Sequence, residues 1–175
     1  MKKNLFFCFF IILSHFCFAL PNGYSSIELG MTVDEVKAEL KKNSDFGYRG
    51  DKDVNLLPST KQTIIETDSS KNPYSFFSRS YFQFMNDRLF SITLELNQEK
   101  IDYFSVFSAL SKKYGNPSTI TPKIASWENT EILMSLEKPL TLKYVDNKVL
   151  KEINDKSNVQ KTIEEKLTEE FLNNL

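Results

Sequence analysis

Gly30-Met31-Thr32-Val33-Asp34-Glu35-Val36-Lys37-Ala38-Glu39-Leu40 is the stretch on which the fold is read. Thr32 stands three residues before Glu35, the spacing of a capping box, in which each side chain satisfies a free backbone N–H at the start of a helix. Met31 and Val36 flank that box and can staple the chain entry. Asp34 and Glu35 suit the positive end of the helix dipole. Val33, Val36 and Leu40 recur at helical spacing and mark a buried face, and Lys41, Lys42 and Asn43 fit the last turn and its exit.

Seventy residues on, the same logic returns. Asp102 is placed to cap a helix whose inner face would be Tyr103, Val106 and Leu110, with Lys112 and Lys113 near its end. Tyr114-Gly115-Asn116-Pro117 stops it, Gly as the C-cap and Pro beyond. Strand signals follow each helix. In the first half they are residues 63–67, residues 81–85, and residues 89–96, where Phe90, Ile92, Leu94 and Leu96 alternate with polar residues. In the second half they are residues 124–128, then Ile132, Met134 and Leu136, then Leu140, Leu142 and Tyr144. The expectation is an α+β fold of two similar helix-plus-three-antiparallel-strand units, about residues 27–97 and 98–146, forming one layer pair. A C-terminal helical tail, residues 147–175, follows. In it Ser157 and Gln160 form another capping box, and Val159, Ile163, Leu167 and Phe171 step by four against an acidic face.

Outward from the fold lies an address. Lys2 and Lys3 precede the apolar run Leu5 to Leu13, and Cys17 and Ala19 are small residues at the spacing a signal peptidase cuts, before Leu20. Residues 1–19 are therefore expected to be a signal peptide cleaved between Ala19 and Leu20. An uncleaved anchor competes with this reading, although a spanning helix takes about 20 apolar residues. Lipidation at Cys17 also competes, and Phe16 stands where a lipidation signal has a small residue. Membrane association is expected only through one of these two routes.

The chain has 175 residues, 22 basic and 23 acidic, a formal charge of −1 and 13% aromatic residues, with 15 Phe. Nothing in that balance favours nucleic acid. Both cysteines (Cys8, Cys17) and the one histidine (His15) lie within residues 1–19 and leave with the leader. The remainder then lacks the side chains of zinc sites, haem ligation by His, Cys–His dyads and Ser–His–Asp triads. Asp51-Lys52-Asp53-Val54-Asn55 opens like a calcium loop, but Leu56 stands where Gly makes the sharp turn and Gln62 where Glu closes the site, so it reads as a solvated acidic loop. No metal and no cofactor is expected. In the loop before residue 78, Tyr74, Phe76 and Phe77 are candidate partner contacts; the competing reading puts them in the core.

Ile27, Leu29, Gly30, Met31, Thr32, Val36 and Leu40 resemble the opening of the BamE/SmpA-type small envelope module. The family's Gly-x-Pro after the Leu is replaced here by Lys41-Lys42-Asn43, and Gly115-Asn116-Pro117 stands in the matching place of the second half. Tandem copies of such a unit resemble the β-lactamase-inhibitor-protein architecture. The resemblance implies an exported, non-enzymatic binding or scaffolding protein of the bacterial envelope, acting on another envelope protein. The alternatives are an exported carboxylate-dependent hydrolase using Asp51, Asp53 or Asp68, and a secreted protein inhibitor.

Overall fold

The computed structural model describes residues 19–57, 62–155 and 171–172. A short antiparallel ribbon opens it, β1 (Gly23–Tyr24) paired with β2 (Ile27–Glu28). Helix α1 (Val33–Lys42) follows, started by the capping box: Thr32 Oγ1 accepts the Glu35 N–H at 3.3 Å and the Glu35 carboxylate accepts the Thr32 N–H at 2.8 Å. Two 3₁₀ turns, Ser44–Phe46 and Gly50–Asp53, lead to four strands: β3 (Val54–Leu57), β4 (Gln62–Asp68), β5 (Phe77–Met85) and β6 (Arg88–Leu96). Then come α2 (Tyr103–Tyr114), four more strands, β7 (Thr119–Ile120), β8 (Ile124–Glu128), β9 (Ile132–Glu137) and β10 (Thr141–Asp146), and helix α3 over residues 147–155.

Strands β3 to β10 make one antiparallel sheet in the order β3-β4-β5-β6-β10-β9-β8-β7. Register explains the core. Ile65, Phe82, Ile92, Tyr144, Met134 and Trp127 are successive cross-strand partners, so they form one row across six strands, and all six are buried. Leu94, Leu142, Leu136 and Ala125 make the next row. Side chains of period two can line one face only, and here that face carries Val36 and Leu40 of α1 and Val106 of α2. Full burial of each such aliphatic or aromatic side chain stabilises by roughly 1.5–3 kcal/mol.

The expected architecture is not the one that forms. In place of two similar helix-plus-three-strand units in one layer pair with a tail helix, there are three α-helices among the described residues, a two-stranded ribbon and an eight-stranded sheet. Each half supplies four strands, and the halves meet where β6 pairs with β10. The missed strands are short or lie at the edges: β7 has two residues, both exposed, and β3 is a sheet edge whose Leu56 is exposed. Such strands carry no alternation to read. A further layer is added on the second face, where Leu150 and Ile153 of α3 share a groove with Ile64, Gln83 and Phe90. Asp146 caps α3, Oδ1 accepting the N–H groups of Lys148 and Val149.

Strand β6 also departs from the expected alternation. A register shift opposite Gln83 and Phe84 inserts an extra residue, so Leu89, Ile92 and Leu94 point into the core and Phe90 does not. The amphipathic segment expected from Ser157 lies outside the described residues apart from Phe171 and Leu172, both exposed.

Candidate binding cleft

The ribbon is wedged between the two helices over the sheet. Tyr24 and Ile27 pair around the two-residue turn Ser25-Ser26, with Ser25 at φ 56°. At its far end the ribbon is tied down: the Leu29 N–H donates to Asn22 O at 2.8 Å, the Gly30 N–H to Leu89 O at 2.7 Å and the Leu89 N–H to Met31 O at 2.8 Å. Gly23 sits at φ 155°, where a Cβ would lie 2.2 Å from Ile27 O, so only glycine fits. The Tyr24 ring meets Phe46 and Phe77 edge-on, at 6.2 and 5.3 Å between ring centres.

Helix α2 forms the opposite wall. The Asp102 carboxylate accepts from Ser105 N–H at 2.9 Å and from its hydroxyl at 2.7 Å, which starts the helix and holds that carboxyl below the usual carboxylate range. The Tyr103 hydroxyl donates to Leu136 O at 3.3 Å. At the other end the Gly115 N–H donates to Ser111 O, and the buried Trp127 indole donates to Gly115 O at 2.8 Å. Phe107 packs on the Trp127 ring. The helix is therefore fixed at both ends and along its length.

Between ribbon and helix runs a cleft of about 570 Å³, within the range of ligand sites. One wall is Pro21 to Ser25 of the ribbon with Glu28; the other is Ala109, Leu110, Lys113 and Tyr114; the floor is Leu142 and Tyr144 of β10. Three of the seven tyrosines meet there. Burial pushes the Tyr144 phenol well above its ordinary value, and the nearby Tyr114 and Tyr24 add to the shift. Tyr24 is raised by burial and by Asp45. Lys113 Nζ lies 5.1 Å from the centre of the Tyr114 ring, a cation–π contact at the rim. The surface thus offers aromatic faces, phenol hydroxyls, one ammonium and one carboxylate. It carries no thiol and no imidazole, because residues 20–175 contain no Cys and no His.

The residues singled out from sequence fall elsewhere. Tyr74 and Phe76 are 86% and 55% exposed on a loop pinned by Lys100, whose ammonium donates to Pro73 O and Ser75 O. Phe77 is a core residue at 4% exposure, stacked 5.1 Å from Phe46, and is not available to a partner. Strand β5 begins there, and its first inward position takes an aromatic ring. Ala19 is exposed, Leu20 packs in part against the core, and Cys17 and the rest of the leader lie outside the described residues.

The candidate carboxylates are each engaged locally. Asp51 pairs with Lys37 at 3.2 Å, and Asp68 accepts from the Ser70 hydroxyl and N–H, which holds its carboxyl low. Asp53 is buried and accepts from the Arg49 backbone N–H, Nε and Nη2 at 2.7, 2.9 and 2.6 Å, so it is a structural anion and not part of a solvated loop. None of the three lines the cleft. Among the described residues no group of three or more His, Cys, Asp or Glu side chains converges to hold a metal ion, and no helix is long and apolar enough to cross a membrane.

The cleft residues carried little sequence signal. Lys113 reads as a cation at a helix end, Tyr114 as part of a helix stop and Tyr144 as an inward strand position. Only the pairing of β6 with β10 and the seating of the ribbon bring them together. Residues 22–156 match the family model of the TP0088 domain. No curated protein and no solved structure matches the chain.

Proposed function

The chain belongs to the TP0088 domain family, and from its sequence and its cleft we propose that it is an exported, non-enzymatic binding or scaffolding protein of the bacterial cell envelope. The observation that carries the reading is the cleft. Both its walls are held by backbone hydrogen bonds and by buried aromatic rings, so it is formed before any ligand arrives. A preformed site lined by tyrosines, with one cation at its rim, suits recognition by contact and stacking. Export is supported by Lys2-Lys3, the apolar run to Leu13 and the small residues Cys17 and Ala19. The likeness of residues 27–40 to the BamE/SmpA opening supports the envelope as the destination and another envelope protein as the partner.

Two measurements test this. Intact mass of the protein from its native cells should begin at Leu20; a mass that includes Met1 to Ala19, or a lipid on Cys17, contradicts cleavage. A photo-crosslinking residue at position 114 should give a defined adduct in envelope fractions, while one at the exposed position 104 on the outer side of α2 should not. An adduct from position 74 instead would move the contact to the Lys100-pinned loop.

A further inference from the structure

Among the described residues, the ribbon wall of the cleft is an open strand edge. Asn22 O accepts from the Leu29 N–H, and two residues on, Tyr24 faces Ile27. Hydrogen-bonded pairs alternate along an antiparallel ladder, so Gly23, opposite Glu28, directs its own N–H and C=O away from β2. That direction is the cleft side, because the cleft runs along Pro21 to Ser25 and takes only Glu28 from the second strand. An open edge of this kind is a template for a further strand.

The polarity of the walls fixes which end of a peptide goes where. Strand β1 rises from Asn22, which accepts from the Leu29 N–H next to the Gly30–Leu89 tie, toward Tyr24, which touches Phe77 at the opposite end of the sheet. Helix α2 runs the other way: Tyr103 bonds Leu136 O, a partner of Leu142 on the upper row, and Gly115 bonds Trp127, one row lower. Lys113 therefore stands at the Asn22 end. A strand added antiparallel to β1 finishes at that ammonium.

We propose, resting on the reading of the cleft as the binding element, that it takes the free C-terminal end of an extended peptide. The peptide pairs with Gly23, its terminal carboxylate meets Lys113, and alternate side chains turn down onto Leu142 and Tyr144. The charge complement at one end, with Glu28 on the ribbon disfavouring acids elsewhere, selects a terminal carboxylate over an acidic run. Five ribbon residues at about 3.3 Å each make room for roughly four peptide residues.

The test uses the protein expressed from its whole sequence and a dye-labelled pool of tetrapeptides, prepared once with free C-termini and once as C-terminal amides, read by fluorescence polarisation. The free-acid pool should yield binders that lose at least tenfold in affinity on amidation, as a charge-assisted hydrogen bond predicts. Lys113→Gln should weaken the free acids to the level of the amides and leave the amides unchanged. N-methylation of the amide facing Gly23 should abolish binding. Lys113 is exposed, so the variant's unfolding midpoint should equal the wild type's and serves as the folding control. Acids and amides that bind equally, or N-methylation without effect, overturn the inference. Salicylate that binds where no tetrapeptide does, seen as a change in Trp127 emission lost in Tyr114→Ala, overturns the peptide and leaves the cleft as a small-molecule site. Silence from both probes together with no adduct at position 114 removes the cleft reading as well.

Discussion

Replacing Tyr144 by Phe keeps the buried ring and deletes the one ionisable group on the cleft floor. Its phenol is raised far above the value near 10 of a tyrosine in an unfolded chain, first by burial and then by Tyr114 and Tyr24. The sign follows from linkage. Below pH 10 both states hold the proton and the group has no pH-dependent effect. Above pH 10 the unfolded chain gives the proton up and the folded chain does not, so stability falls as pH rises toward the folded value. Each unit is worth about 1.4 kcal/mol, so from pH 8 to 11.5 the wild type should lose about 2 kcal/mol more than Tyr144→Phe. Every other ionisable group is common to the two proteins, so the difference between the curves isolates position 144. Urea unfolding followed by far-ultraviolet circular dichroism at pH 8, 10, 11 and 11.5 gives the two curves. Phenolate absorbance should also show one of the seven tyrosines ionising only with unfolding, and that step should vanish in the variant. Parallel stability curves from pH 8 to 11.5 would refute the placement of Tyr144 in the interior.

Two further outcomes follow from the packing. Asn147→Ala removes a side chain at 3% exposure whose amide donates to Glu128 Oε1 at 2.8 Å and Asn129 O at 2.9 Å, so unfolding should show a loss of about 1–3 kcal/mol, and hydrogen exchange should rise over residues 147–155 first. Phe77→Ala should cost about 3–5 kcal/mol in urea unfolding, while Phe76→Ala one position earlier stays within about 0.5 kcal/mol; similar values for both would contradict the burial difference between them.

What could be read from the chain follows from how local the cause is. The Thr32–Glu35 box and the Asp102 cap are settled within four residues, and both are present as read. Gly115 ends α2 at φ 82°, as its place before Asn116-Pro117 implied. The inward rows of β9 and β10 recur at every second residue, visible because the sheet buries one face there more than the other, whereas β8 is legible only as a strand-prone run. Period failed wherever a neighbour far in sequence set the outcome. Phe90 loses its expected inward place to Leu89 because β5 and β6 slip past one another at Gln83, and no feature of β6 alone records that slip. Strand β3 lay hidden in a stretch rich in Asn and Asp, since its partner β4 supplies the ladder and the edge needs no apolar alternation.

The cleft is the extreme case of that nonlocality. Its ribbon wall is two strands of two residues, below any periodic signal, and it stays in place through Leu29–Asn22, Gly30–Leu89 and the Tyr24 contacts to rings at positions 46 and 77. The floor comes from a strand 120 positions later, as Tyr144 follows Tyr24 by that interval. Gly23 is the one residue of the ribbon whose type its geometry dictates. Its φ of 155° and the 2.2 Å approach of Ile27 O to an added Cβ explain why it is there. The segment that directly follows the expected cleavage point is thus the segment that completes the cleft. Pro21, two residues past that point, is already part of its wall.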